Sequence, residues 1–245
     1  MRKFEILMTG SDGYIGSHLK PYLESKGYAV TPYQGDIRNF DVPNPDNPPD
    51  MVIHLAALTG VRKSIEMPKE YFDVNVVGTR EVFMVCAEFD IPVMFASSSN
   101  AKEVTNPYAE TKLMNEVERT ENSVGFRPHT VYPGRQDMLY QSLKRGDVKY
   151  INGGHYRDFT HIDDLCSAIF TIVKNYGILA GKVIDIGSGS SVSVLKVAEA
   201  LGFDGEVIYE ETPNECTLTC ANVEELKILG WNPEKDILDE IRNSK

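Results

Sequence analysis

The chain has 245 residues, 42% of them hydrophobic, which is enough length and apolar content for one substantial core with a small lobe attached. Its net charge of −11 repels a phosphate backbone, and no long Lys/Arg run offsets it locally, so nucleic acid is not an expected partner. The longest apolar runs, such as Met51–Leu58, fall far below the roughly 20 residues of a membrane span, and Phe4–Met8 lacks the pattern of a signal peptide; a cytoplasmic protein is expected.

Strand and helix patterns alternate along the chain. Lys3–Met8 reads as a strand, Ile15–Lys26 as a helix and Tyr28–Thr31 as a short strand. Val42–Asp50 carries four prolines and is expected to be a loop, because proline removes a backbone donor and restricts the residue before it. Met51–Leu55 is a buried-strand run, Lys69–Phe89 reads as one long helix, and Pro92–Ala96 as another strand. Tyr108–Thr120 is helical, Gly125–Val131 strand-like, and Val183–Ile186 a late strand. Alternation of this kind predicts an α/β fold with a doubly wound parallel sheet. Regular alternation fades beyond Gly134, so residues 1–133 and 161–187 are expected to form the main sheet-bearing domain, with 134–160 and 188–245 an interleaved smaller lobe. Cys86, Cys166, Cys216 and Cys220 are too few for a disulfide framework, and Cys216 and Cys220 lack a second Cys or His pair, so no metal is assigned.

After the first strand comes Thr9-Gly-Ser-Asp-Gly-Tyr-Ile-Gly16, with Gly10, Gly13 and Gly16 leading into a helix. Glycines there allow a tight turn and the close approach of a pyrophosphate, which meets the backbone N–H groups and positive dipole end of the helix. The second strand ends Thr31-Pro-Tyr-Gln34, with neither an acid for a ribose hydroxyl nor an arginine for a 2′-phosphate. Arg38 lies slightly later, as a surface residue or a 2′-phosphate ligand; NAD is the expected cofactor and NADP stays open. Tyr108 and Lys112 are four residues apart and share a helix face. A tyrosine with a reference pKa near ~10 needs roughly 4 kcal/mol of help to act as a base near neutrality, and an adjacent ammonium contributes it. Ser97-Ser98-Ser99, directly after a strand, offers an exposed hydroxyl for a substrate oxygen or a helix cap.

In this order the motifs resemble the extended short-chain dehydrogenase/reductases, the NAD-dependent nucleotide-sugar epimerases and dehydratases. The resemblance spans nearly the whole chain and includes Gly35-Asp-Ile-Arg38, His54-Leu-Ala-Ala57, Asn75-Val-Val-Gly-Thr79, Phe126-Arg-Pro128, Arg157-Asp-Phe-Thr-His-Ile-Asp-Asp164 and Leu229-Gly-Trp-Asn-Pro233. It implies a Rossmann-type fold and a homodimer built through the helices Lys69–Phe89 and Tyr108–Thr120. It implies a catalytic Ser98, Tyr108 and Lys112, with Ser99 the alternative serine. The cofactor would lie on Gly10, Gly13, Tyr14, Ile15, Gly16, Asp36, Ile37, Leu55, Ala56, Ala57 and Asn75, with Tyr108 and Lys112 at the nicotinamide end. Ser99, Thr130 and Arg157 would face a nucleotide-sugar substrate, Arg157 on its diphosphate; a purely structural Arg157 would instead pair with Asp158 or Asp163.

The chain departs from the pattern in places. Only nine residues separate Ser98 from Tyr108, Thr130 replaces the usual Asn, and no second arginine stands near Pro213–Glu215. Ser99-Asn100 occupies the place of the Asp-Glu of dehydratases, which disfavours dehydration. Epimerisation of the sugar ring, with C4 the expected carbon, is the leading expectation. The short passage from the second strand to Asp36 keeps a 4-keto-sugar reductase as the alternative, and a silent cofactor-binding regulator is the alternative from another class.

Overall fold

The computed structural model describes residues 2–210 and 212–244 and divides into two compact units, one running through Arg127 and including Ile172–Ile184, the other comprising Pro128–Thr171 and the chain from Asp185 on.

The first unit is built on a six-stranded sheet. Its strands are β1 (Glu5–Thr9), β2 (Ala29–Tyr33), β3 (Met51–His54), β4 (Val93–Ala96), β5 (Ser123–Pro128) and β9 (Val183–Ile186), in the order β2-β1-β3-β4-β5-β9. The pairs β1·β2, β1·β3, β3·β4 and β4·β5 all run parallel. Every residue of β3 is buried, as is expected of a strand covered on both faces. Helices α1 (Tyr14–Ser25), α4 (Gly78–Glu88) and α5 (Pro107–Val117) supply crossovers, and Val82, Phe83 and Cys86 of α4 pack with Val52, Val93 and Phe95 into one core.

Two elements differ from their sequence reading. β2 continues to Tyr33 and contains Pro32, a residue the middle of a sheet does not accommodate. It lies on the sheet edge, and because the Ala29 N–H bonds inward to the Phe4 carbonyl, alternation along the strand turns the Pro32 nitrogen outward, where no ladder bond is lost. The expected single helix Lys69–Phe89 is three pieces: α3 (Pro68–Phe72), a π-helical turn Asp73–Val77, and α4. A π turn holds one extra residue, which hydrophobic periodicity alone does not register. A short helix α2 (Val61–Glu66) precedes them, and Val42–Asp50 carries no helix or strand, in keeping with its prolines.

The second unit holds a three-stranded sheet of β6 (Thr130–Tyr132), β8 (Tyr156–His161) and β10 (Ser191–Ser193), and a two-stranded pair of β7 (Tyr150–Asn152) and β11 (Glu206–Ile208). The reading of Gly125–Val131 as one strand is thus corrected to β5 and β6, separated by His129, whose N–H turns to the Ile186 carbonyl. Helices α6 (Leu139–Arg145), α7 (Ile162–Lys174), α8 (Tyr176–Leu179), α9 (Val194–Ala200), α10 (Glu224–Ile228) and α11 (Ile237–Asn243) complete the chain. Tyr132, Phe159, Val194, Val197, Ile237 and Ile241 form the core of this unit. The fully buried Asp158 carboxylate accepts from the N–H groups of Ser188, Gly189 and Ala221 and from the Ser188 hydroxyl, tying three distant segments together. Trp231, buried, donates from Nε1 to the Ser167 hydroxyl of α7 at 2.8 Å.

Candidate active site

The glycine turn closes β1 onto α1. Gly10 has φ +67°, and a Cβ there would sit 2.7 Å from the Ala56 nitrogen, so the turn and the segment after β3 approach backbone to backbone. A Cβ on Gly16 would lie 2.3 Å from the Gly10 carbonyl oxygen, whereas Gly13, exposed, meets only that oxygen at 3.2 Å. Gly13 caps α1 without a side-chain bond, its own N–H donating to the Gly10 carbonyl at 3.1 Å, and the first turn of α1 holds no acid, so the positive dipole end of the helix is not offset by a carboxylate of that turn. Tyr14 and Ile15, half-buried, open the helix. These features fit the pyrophosphate of a dinucleotide.

Asp36 caps the short 3-10 turn Ile37–Asn39, accepting from the Arg38 N–H and guanidinium, and that guanidinium holds the Asp36 carboxyl down at about 2. Arg38 is thereby paired rather than a lone surface cation, and Ile37 is buried beneath.

Leu55, Ala56 and Ala57 follow β3 as a half-buried segment, and two polar groups fix its path. The Ala56 N–H donates to the Thr9 hydroxyl at 3.2 Å. Asn75, fully buried in the π turn, accepts from the Leu58 N–H at 2.7 Å and donates to the Leu58 carbonyl at 3.0 Å and the Thr111 hydroxyl at 3.2 Å. Its amide therefore braces the segment and α5. Beneath them His54 bridges the Thr9 and Thr79 hydroxyls at 2.7 and 3.0 Å, and burial pushes its pKa down to about 3, so the ring is neutral. The Asn115 amide of α5 reaches the same Thr79 hydroxyl at 3.3 Å. This polar path is absent from the sequence reading, although its histidine stands in the matched His54–Ala57 segment.

On α5, Lys112 is buried and its Nζ donates to the Ala96 carbonyl at the end of β4 at 2.7 Å. Burial lowers its pKa to about 8, against an opposing pull from Glu116. Tyr108 stands one turn earlier, half-buried, its ring 6.4 Å edge-on from Tyr71, whose hydroxyl donates to the Thr59 carbonyl. Asn106 caps the helix by accepting from the Ala109 N–H. The serine run departs from expectation. Ser97 and Ser98 are only 4% and 8% exposed rather than open to solvent, because a 3-10 turn, Ser99–Lys102, folds back directly after β4. Ser98 caps that turn, its Oγ accepting from the Asn100 N–H at 3.2 Å, and Ser99 is half-buried in it. Ser97 donates to the Glu116 carboxylate. Ser98, Tyr108, Lys112, the glycine turn, Asp36, Asn75 and residues 55–57 thus all belong to the first unit.

Thr130 and Arg157 belong to the second. Thr130 opens β6 opposite Phe159. Arg157, largely buried, donates to the Tyr156 and Thr217 carbonyls at 2.9 and 3.1 Å and lies 3.9 Å from the Glu215 carboxylate. Neither Asp158, which serves the backbone described above, nor Asp163, 3.5 Å from His161, is an ion-pair partner shown for it. Burial lowers the Arg157 pKa and the Glu215 charge raises it. Where a second arginine is expected, an acid stands. Among the described residues, no group of three His, Cys, Asp or Glu is placed to hold a metal, and no helix is long and apolar enough to cross a membrane.

The chain is 28% identical to protein CapI of Staphylococcus aureus, with 97% of this chain and 96% of that one aligned, and 27% identical to a putative UDP-glucose 4-epimerase of Methanocaldococcus jannaschii over the same shares. The CapI alignment runs over 320 positions, more than the 245 residues of this chain, so that relative carries segments without a counterpart here. The solved structure of MoeE5 with UDP-glucose and NAD superposes with a TM-score of 0.85 at 26% identity, covering 97% of this chain and 96% of that one. The model of the NAD dependent epimerase/dehydratase family matches residues 6–187, and a match that takes in the glycine turn, the Tyr108–Lys112 helix and the last strand of the sheet makes this chain a member of that family.

Proposed function

We propose that the chain is an NAD-dependent nucleotide-sugar 4-epimerase whose carrier is uridine diphosphate, as the names of its relatives suggest. The observation that carries the reading is the face of α5, where Lys112 is buried, charged at neutral pH and anchored on the carbonyl of Ala96, two residues before Ser98 and one helical turn past Tyr108. Tyr108 takes the proton of the sugar hydroxyl and returns it, and the Lys112 ammonium stabilises the phenolate in between. Ser98, whose oxygen accepts from Asn100, keeps its own proton to donate to the same sugar oxygen. NAD, when bound, supplies a reversible hydride acceptor at the sugar carbon. Its pyrophosphate would rest on Gly10, Gly13 and Gly16 with Tyr14 and Ile15, its adenine side on Asp36 and Ile37, and its length along Leu55–Ala57, which Asn75 braces. Substrate roles are assigned to Ser99 of the first unit and to Thr130 of the second, toward the sugar, and to Arg157 of the second, toward the diphosphate, where its planar fork suits two oxygens.

The protein is further assigned to the cytoplasm, which suits its four free thiols, and to a homodimer. The dimer reading draws support from two exposed apolar side chains: Met84 of α4, 60% exposed, which lines a groove with Arg80, Phe83, Ala87, Glu118 and Thr120, and Val117 of α5, 72% exposed.

Purified protein given UDP-glucose, UDP-glucuronate or UDP-N-acetylglucosamine should interconvert one of them with its 4-epimer without added reductant, and Tyr108→Phe should lower that rate at least 100-fold. Stoichiometric consumption of added NADPH would identify a reductase instead. No turnover of any kind, with NAD still bound, would leave a binding protein.

A further inference from the structure

Glu116 lies on α5 one turn beyond Lys112 and two beyond Tyr108, so all three project from one face of the helix. Its carboxylate is 5% exposed, a depth at which an acid needs partners for both oxygens. Two residues provide them. Arg127 of β5 donates from Nε to Oε1 at 2.8 Å and from Nη2 to Oε2 at 2.5 Å, a two-pronged pair. The Ser97 hydroxyl, at the end of β4, donates to Oε1, and Arg119 donates to the Glu116 backbone carbonyl.

An ion pair this deep is a poor stabiliser, since removing both charges from water offsets most of their attraction. Its location supplies another use. Ser97 precedes Ser98 in the chain, so the Ser97–Glu116 bond fixes the backbone that carries the Ser98 hydroxyl. On the other side, Lys112 is faced by Tyr108 and Glu116 of its own helix, by His54 of β3 and by the Ala96 carbonyl of β4. His54 is neutral, which leaves Glu116 as the negative charge that opposes the desolvation of the lysine.

We propose that Glu116 is a positioning residue that joins the two halves of the site: it holds Ser97, and through it Ser98, and it sets its carboxylate one helical turn from Lys112 on the buried face of α5. This rests on the roles given above to Ser98, Tyr108 and Lys112.

The test uses Glu116→Gln, which keeps the shape and removes the charge, and Ser97→Ala, which removes the serine bond and keeps the charge. In protein labelled with 13C at lysine Cε, the Lys112 resonance is identified by its loss in Lys112→Met and titrated without substrate. Glu116→Gln should move its midpoint down by about one pH unit, and Ser97→Ala should leave it in place. With substrate, both variants should lower kcat by about 10-fold or more with KM within twofold, and only Glu116→Gln should shift the alkaline limb of the pH–rate profile, to lower pH. A Glu116 that merely braces the helix would leave the Lys112 midpoint unmoved while thermal stability falls, and that result overturns the proposal. Should Glu116→Gln not fold, an unchanged kcat in Ser97→Ala overturns it equally, and a reduced kcat with an unmoved midpoint supports it. Absence of epimerase activity in the wild type sinks the reading of the site, whereas an unmoved midpoint in an active enzyme sinks only the role of Glu116.

Discussion

A lysine ammonium closed off from water on a helix face works against the fold that holds it, and Lys112 is such a residue. Its pKa falls from 10.5 to about 8 on burial, so the folded chain binds the proton less tightly than the unfolded one. The destabilisation, about 3 kcal/mol from that difference alone, is present in full below about pH 8 and fades as pH rises toward 10.5. Lys112→Met should therefore stabilise the protein at pH 7 by about 1–2 kcal/mol in urea unfolding, after loss of the Ala96 bond is set against it, and abolish turnover. The gain should shrink in the same measurement at pH 9.5. A destabilised Met variant would mean that the cation is better compensated than its surroundings indicate. Tyr108 and Lys112 are legible in sequence because a helix fixes what four residues of spacing means. The partners of Arg157 are not: Glu215 and the Thr217 carbonyl are some sixty positions away in the chain, beyond the reach of any local pattern. Glu116 falls between the two cases. It follows Lys112 at the same spacing as Lys112 follows Tyr108, so its face was readable, but its bonds to Ser97 and Arg127 depend on sheet order.

At the scale of elements, the glycine turn ranks its three glycines by what a methyl group would strike. Gly16→Ala places a carbon against the Gly10 carbonyl and the Ser11 backbone, which must move, and should destabilise the fold by about 1–3 kcal/mol and weaken NAD binding at least 10-fold by calorimetry. Gly13→Ala meets one oxygen at 3.2 Å and should alter NAD affinity much less. Equal losses in both would show that the turn, rather than the approach of α1 to β1, limits binding. The motif spacing alone treats the glycines alike. Periodicity likewise gave the strands of the first sheet to within a few residues, because buried parallel strands are short apolar runs, and missed the π turn at Asp73–Val77. That turn matters to the site, since it carries Asn75 and hence the path of Leu55–Ala57.

Taken whole, the first unit reads more clearly from sequence than the second. Its alternating pattern implies right-handed parallel crossovers and little else, whereas the second is held by residues such as Asp158, whose four bonds reach positions 30 to 63 residues away. The proposed dimer belongs to this scale. Met84→Glu and Val117→Asp place charges on the exposed face of α4 and α5, and the double variant should be a monomer by light scattering at micromolar concentration where the wild type is a dimer. A monomeric wild type would remove the dimer from the description. Finally, the outward-facing nitrogen of Pro32 ends the sheet chemically as well as spatially. A free strand edge is a template on which another chain can polymerise, and here the template lacks a donor at Pro32, one of the two outward positions of β2. Along β2 an incoming strand thus meets a single outward N–H, that of Val30, too few donors for a continuous ladder.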